Sequence, residues 1–304
     1  MPTSYTRPLY LLPFDHRASY ISGLFGWKEP LNAEQMVTVA NSKHVIYAGF
    51  QQALADGVPK ERAGILVDEE FGSAILRDAV SKGYITAVSV ETSGQAEFEF
   101  AYGEDFAQHI EAVHPTFAKV LVRYNPEGDA ALNVRQANRL SRLSDYLHRA
   151  QTLFMFELLV PPEPMHLKQR AGDRTAYDLQ VRPHLMLQAI QNLQDAGVEP
   201  DVWKVEGLDR QEDAVKLVEA ARRGGRNTVG LIMLGRGAER ERVVHWLQTA
   251  AQVPGFIGLA VGRTTFWQPV VDVEAKRISK EEAATQIAHT FEEWIHLFEQ
   301  AQHA

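Results

Sequence analysis

Two lysines and a glutamate stand inside stretches that are otherwise apolar. Lys204 lies in Val202-Trp203-Lys204-Val205-Glu206-Gly207, Glu157 in Phe154-Met155-Phe156-Glu157-Leu158-Leu159, and Lys119 in Lys119-Val120-Leu121-Val122-Arg123-Tyr124. A lysine in a buried strand must be paired, or desolvated with a lowered pKa. In the second case it is a neutral amine, able to attack a carbonyl and form a Schiff base. Side chains alternate along a strand, so Val202, Lys204 and Glu206 share one face. Lys204 thus has two readings: an imine-forming nucleophile, or the cation of a buried ion pair with Glu206 or Glu157. Lys119 carries the same ambiguity. Glu157, in apolar surroundings, suits general acid–base work through a raised pKa, or serves as the partner of a lysine. A lysine and a carboxylate facing one another would supply the proton transfers that Schiff-base formation requires.

A second group of polar residues closes other apolar runs. Asp15-His16-Arg17 follows the first run, Asp68-Glu69-Glu70 the second, and Glu91 the third. Gly235-Arg236-Gly237 and Gly262-Arg263 follow the seventh and eighth. Glycines let backbone N–H groups approach a phosphate closely, so these turns are candidates for an anion site; the other reading is two tight turns with solvated arginines. Arg222-Arg223-Gly224-Gly225-Arg226 is expected to cap the end of a helix, where cations are favoured. The 11 histidines include no HxH, HxxH or HExxH grouping and the chain has no cysteine, so no pre-formed metal site is expected, although carboxylates could hold Mg²⁺.

Positioning these residues requires a regular scaffold. Short runs of strand character recur at Leu9–Phe14, Gly64–Val67, Ile85–Val90, Ala118–Val122, Leu153–Val160, Asp201–Val205, Val229–Leu234 and Phe256–Val261. Continuous apolar runs of this length suit parallel strands buried on both faces. Helical spacing fills Gln35–Ala55, Arg135–Ala150, the Leu185/Met186/Ile190/Leu193 face, Ala214–Ala221, Val243–Ala250 and Ala283–Phe298. Eight strands alternating with helices predict an α/β fold, a (β/α)₈ TIM barrel in a single domain over residues 1–304. The competing architecture is an open doubly wound sheet. Its usual Gly-rich turn after the first strand is replaced here by Asp15-His16-Arg17. In a barrel the active site lies at the C-terminal ends of the strands, and phosphate often binds after the seventh and eighth. Residues 161–180, rich in proline and charge, are expected to form a long loop, either a lid or a surface excursion.

Composition sets the limits. The 304 residues carry 31 basic and 39 acidic side chains, a formal charge of −8, which argues against a general nucleic-acid binder. It permits a small anionic substrate if a few cations are gathered locally. A hydrophobic share of 45% excludes wholesale disorder. The longest apolar runs fall well short of the roughly 20 residues of a membrane-spanning helix. No signal peptide is recognisable and cysteine is absent, so the expectation is a soluble, cytoplasmic protein.

These residues together resemble the class I aldolase branch that includes bacterial tagatose-1,6-bisphosphate aldolase. The resemblance rests on Phe14-Asp15-His16-Arg17, Leu66-Val67-Asp68-Glu69-Glu70-Phe71-Gly72, the Lys119 segment, Glu157, Lys204-Val205-Glu206 and Gly262-Arg263-Thr264-Thr265-Phe266-Trp267. A nearer likeness is to the aldolase-like domain fused behind a sugar kinase in bacterial inositol catabolism, carried by Leu11-Leu12-Pro13-Phe14-Asp15-His16-Arg17 and Trp203-Lys204-Val205-Glu206-Gly207. It implies cleavage of 6-phospho-5-dehydro-2-deoxygluconate to dihydroxyacetone phosphate and malonate semialdehyde. The alternatives are aldol cleavage of another ketose phosphate, of tagatose bisphosphate or sulfofructose phosphate type, a carboxylate–Mg²⁺ lyase or isomerase, or a non-catalytic sugar-phosphate-binding barrel. By resemblance Lys204 is the Schiff-base nucleophile and Glu157 the proton shuttle. Asp15 and Lys119 orient or polarise the substrate, and Arg17, Asp68, Gly235, Arg236, Gly237, Gly262 and Arg263 bind substrate or its phosphate. No cofactor or metal is implied. The implied partner is a small phosphorylated sugar, with no nucleic acid or membrane; a homo-oligomer and a functional link to a sugar kinase complete the expectations. The chain departs from the tagatose enzymes at His16, where they carry glutamine, and at Gly235-Arg236-Gly237, where they carry a serine-containing turn.

Overall fold

The computed structural model describes residues 5–303. Eight strands, β1 (Leu9–Pro13), β2 (Ala63–Asp68), β3 (Ile85–Ser89), β4 (Phe117–Arg123), β5 (Leu153–Leu159), β6 (Val202–Glu206), β7 (Gly230–Leu234) and β8 (Phe256–Ala260), form a closed barrel in sequence order. Every neighbouring pair is parallel, and β8 returns to β1. At that seam Leu9 is paired with Gly258, and a Cβ at Gly258 would lie 1.8 Å from the Leu9 carbonyl oxygen. Only glycine lets the two backbones approach closely enough to close the cylinder.

Helices cover the outside. α1 (Ala18–Phe25) and α2 (Ala33–Ala55) follow β1, α3 (Glu69–Ser81) follows β2, α4 (Phe106–Val113) follows β3, and α5 (Ala130–Ala150) follows β4. α6 (Pro164–Lys168), α7 (Arg174–Gln180) and α8 (Arg182–Asp195) follow β5, and α9 (Gln211–Arg222) follows β6. α10 (Arg240–Ala251) follows β7, and α11 (Arg263–Glu274) and α12 (Lys280–Gln302) follow β8. The two longest, α2 and α12, each begin with a capping box, Asn32 with Gln35 and Ser279 with Glu282, and pack against one another across the closure.

Strand alternation splits the apolar residues into two layers. Outward-facing side chains such as Val120, Phe156, Trp203 and Leu231 pack with the helices. Inward-facing Leu9, Leu11, Leu66, Ala87, Phe117, Met155, Val202, Ile232 and Ala260 fill the lower barrel as a separate plug. The next inward positions up β4, β5 and β6 are Lys119, Glu157 and Lys204, so the polar layer rests on that plug.

Residues 161–180 are not the structureless loop expected from composition. They hold α6 and α7. His166 donates or accepts at 2.8 Å with Glu127, and the Tyr177 hydroxyl donates to the Val160 carbonyl at 2.8 Å. Buried Arg182 donates to Asp178 at 3.0 Å and to the Gly207 carbonyl at 2.9 Å. The segment is thus fixed to the ends of β5 and β6. The basic stretch lies at two helix ends: Arg222 is in the last turn of α9, and Arg223 donates to the Gln191 carbonyl near the end of α8, at 2.7 Å.

Candidate active site

A cavity opens at the C-terminal ends of the strands and has two lobes. The larger, about 390 Å³, is lined by Arg174, Glu206, Gly235, Arg236, Gly237, Gly262 and Arg263 among others. The smaller, about 160 Å³, is lined by Asp15, Arg17, Glu91, Ser93, Gln95 and Phe98 among others. His16, Ser19, Leu121, Arg123, Glu157 and Lys204 line both, so Lys204 sits at the junction. Part of the smaller lobe's wall comes from residues 92–99, which fold back after β3 through the antiparallel bridge between Glu91 and Phe100.

The two lysines have different surroundings. Lys119 is fully buried and its ammonium meets three carboxylates: Asp15 at 2.7 Å, Glu91 at 2.9 Å and Glu157 at 2.9 Å. Burial favours the neutral amine, but Asp15, Glu157 and Glu91 outweigh it, and the Lys119 pKa is raised well above the usual lysine value. Lys119 therefore stays protonated. It is absent from the lining of both lobes. Lys204 faces the cavity and, among the described residues, makes one ion pair, with Glu157 at 2.7 Å. Of the two partners the sequence offered for Lys204, the geometry selects Glu157, whose strand position is directly paired with Lys204 across β5 and β6. Glu206 turns away, accepting from the Val160 N–H at 2.9 Å and pairing with Arg236 at 3.0 Å.

Glu157 corrects an expectation. An apolar setting predicted a raised pKa; burial does push it up, but Lys119 and Lys204 on the same carboxylate oxygen outweigh burial, and the pKa is lowered. Glu157 is a carboxylate in the resting site. Asp15 behaves alike: burial opposes ionisation, while Lys119 and then Lys204 hold it well below the ordinary range. Glu91 goes the other way, because burial, helped by the negative charge of Asp15, exceeds the pull of Lys119 and Arg17. Burial, with Arg263 and Lys204 nearby, lowers the His16 pKa to about 4 against the opposing pull of Asp15. The imidazole is therefore neutral at pH 7.

Asp68 is a second correction. Expected at the substrate, it is fully buried and lines neither lobe. Its carboxylate pairs with Lys43 of α2 and accepts the Phe71 N–H at 2.8 Å, capping α3. Glu69 and Glu70 occupy the first turn of that helix, where acidic residues favour the dipole. Lys43 also donates to the Phe14 and His16 carbonyls at 3.0 and 3.1 Å. Asp68 and Lys43 thus form a strut that fixes the turn carrying Asp15 and His16. Arg17 lines the smaller lobe and donates to the Glu91 carbonyl at 2.5 Å.

The Gly-Arg turns come together in the larger lobe. Gly262 is the N-cap of α11, whose first-turn N–H groups and dipole favour an anion. Gly237 has φ 67°, and a Cβ there would meet the Arg263 guanidinium at 3.0 Å. Arg263 lies across this turn and donates to the Arg236 carbonyl at 3.3 Å. Arg236 is already engaged by Glu206 and Asp178, each at 3.0 Å. Two carboxylates offset its charge, which leaves Arg263 as the cation better disposed toward an anion. Glu91, Arg123 and Arg174 also line the cavity, although the sequence assigned none of them a role in the site. Glu91 stood at a strand end and was detectable there; Arg174 lies in α7, which carried no strand-end signal. Among the described residues, no group of three or more histidine, cysteine or acidic side chains is arranged to hold a metal ion. No helix among them is long and apolar enough to cross a membrane.

Comparison with known proteins agrees with the architecture. Residues 3–302 match a family described as an uncharacterized protein conserved in bacteria (DUF2090), and the chain belongs to that family. No curated protein matches it in sequence. Among solved structures it is similar to Cgl0159 from Corynebacterium glutamicum (Brevibacterium flavum), with a TM-score of 0.56 and 18% identity over 93% of this chain and 86% of that one. It is also similar to fructose-bisphosphate aldolase from Slackia heliotrinireducens, with a TM-score of 0.56 and 12% identity over 93% and 86% of the two chains. An archaeal fructose 1,6-bisphosphate aldolase gives 0.54 and 13% identity over 93% of each chain. At these identities the likeness is one of fold.

Proposed function

We propose that this member of the family is a Schiff-base aldolase that cleaves a phosphorylated keto sugar acid, with Lys204 as the nucleophile. The observation that carries the reading is the contrast between the lysines: Lys119 is locked by three carboxylates, while Lys204 reaches the cavity with Glu157 as its one ion-pair partner among the described residues, at 2.7 Å. Glu157 takes the proton that frees the Lys204 amine, which then adds to a ketone carbon. The same carboxyl returns a proton to the departing oxygen as water leaves and the imine forms. Lys119, always cationic, holds Asp15 and Glu157 in place. The protonated imine accepts the electron pair released when the adjacent carbon–carbon bond breaks, yielding an enamine and an aldehyde. Arg263 and the N-terminus of α11 would hold the phosphate, placing the ketone toward Lys204.

The substrate we favour is 6-phospho-5-dehydro-2-deoxygluconate, giving dihydroxyacetone phosphate and malonate semialdehyde in a cytoplasmic setting. The sequence resemblance supports this choice, and the larger lobe supports the phosphate end. The test is a screen of this compound against tagatose 1,6-bisphosphate, fructose 1,6-bisphosphate and sulfofructose 1-phosphate, with triose phosphate release as readout and EDTA present in a parallel arm. Preferred release from the first compound, unchanged by EDTA, is the expected result. Release from none of them would remove the proposal, and loss of activity with EDTA would replace the imine mechanism by a metal-dependent one.

A further inference from the structure

We propose that His16 is the catalytic base of the carbon–carbon step, taking the hydroxyl proton of the fragment that leaves as an aldehyde. The inference rests on the imine at Lys204 and adds the group that breaks the bond. In the imine of a β-hydroxy ketone, an imidazole nitrogen of His16 accepts the O–H proton. The O–H pair becomes the new C=O bond, the carbon–carbon bond breaks, and its pair neutralises the iminium to give the enamine. No oxidant, reductant or further reactant is needed.

Three observations point to His16. First, its Nδ1 is buried and has no hydrogen-bond partner among the described residues. Buried polar atoms are normally satisfied, so the described residues do not tie the ring down through Nδ1, and the partly exposed remainder of the side chain is what a substrate hydroxyl can meet. Second, the ring lines both lobes together with Lys204 and Glu157, which is where the bond beside an imine would lie. Third, it is held in place: Lys43 donates to the His16 carbonyl at 3.1 Å, and the ring packs edge-on against Phe266 at 6.0 Å.

Asp15 and Glu91 are tied to Lys119, and Glu157, one oxygen of which contacts both lysines, serves the proton transfers at the Lys204 nitrogen. The charged groups facing the imidazole are Asp15 from its own turn, Lys204 from β6, Glu157 from β5 and Arg263 from α11. Burial and the cations keep it unprotonated at neutral pH, and Asp15 favours the imidazolium once the proton has arrived.

The experiment separates imine formation from cleavage. His16→Gln and His16→Ala are each incubated with dihydroxyacetone phosphate and borohydride, and labelling of Lys204 is read by peptide mass spectrometry. Turnover of 6-phospho-5-dehydro-2-deoxygluconate is measured beside it. The expected result is labelling within about twofold of the unaltered protein and cleavage lowered roughly 10²–10⁴-fold, the range of a general acid–base group. Normal cleavage in either variant overturns the inference. Labelling and cleavage that fall together in both variants also overturn it, because His16 would then be structural. An unaltered protein that is never labelled rejects the imine reading itself, independently of how the variants behave.

Discussion

The carboxylate cage within β3–β5 and the open face at the ends of β6–β8 use the same ingredients differently. In the cage, Lys119 is fully buried, has three acidic partners, and is held in the charged form. On the open face, Lys204 has one ion-pair partner among the described residues and a cavity in front of it. Both are lysines facing the interior of one barrel, and Glu157 touches both. The difference shows that a buried lysine's role follows from how many carboxylates converge on it and whether a substrate can reach it. The cage is the fixed half, and in the proposed function the open face is where bonds change.

The largest expected effect comes from breaking the cage. Lys119→Met leaves three buried carboxylates without their shared cation, and removing one partner of a buried pair costs about 3–5 kcal/mol. Thermal or urea unfolding should show that loss, with turnover falling as Asp15 and Glu157 move apart. Stability unchanged by the substitution would mean that the cage is dispensable.

Glu157 joins the two regions, so its removal tests their connection. Glu157→Gln should retain the fold and lower turnover roughly 10²–10⁴-fold. Near-normal steady-state rates would assign Glu157 to the cage alone.

Arg263 sharpens the open side. Arg263→Ala should weaken a phosphorylated ligand by about 1.5–3 kcal/mol and leave its dephosphorylated analogue nearly unchanged, as read by calorimetry. Equal losses for the two ligands would move the phosphate elsewhere. Arg236→Ala should cost less, because Glu206 and Asp178 already occupy that guanidinium.

The smallest effect is in pH. The folded-state His16 pKa is lowered from 6.5 to about 4, so between these values the unfolded chain binds the extra proton. Stability from this residue is complete above 6.5 and falls as pH drops toward 4. The loss of melting temperature between pH 7 and pH 5 should therefore be smaller in His16→Gln than in the unaltered protein. An identical loss in both would show that His16 is not held neutral by the fold.

The barrel was legible because its strands are continuous apolar runs, and the two interior lysines because they interrupt such runs. The convergence on Lys119 was not, since Asp15 and Glu91 follow β1 and β3 while Glu157 lies within β5, and they meet only when the barrel closes. Closure also decided the direction of the Glu157 pKa, which local apolar sequence had pointed the wrong way. Asp68-Glu69-Glu70 looked like a site because α3 starts directly after β2, with no linker to reveal that Asp68 is an N-cap. α6 and α7, of 5 and 7 residues, are too short to show helical periodicity amid proline and charge. Their place on the rim depends on distant partners such as Glu127 and Arg236.

The central claim is that Lys204, and not Lys119, forms a covalent imine. Protein, 6-phospho-5-dehydro-2-deoxygluconate and borohydride are incubated together, and the modified lysine is located by peptide mass spectrometry. The account predicts a single stable adduct at Lys204, lost together with cleavage in Lys204→Ala. An adduct at Lys119, or full cleavage activity in the Lys204 variant, would contradict it.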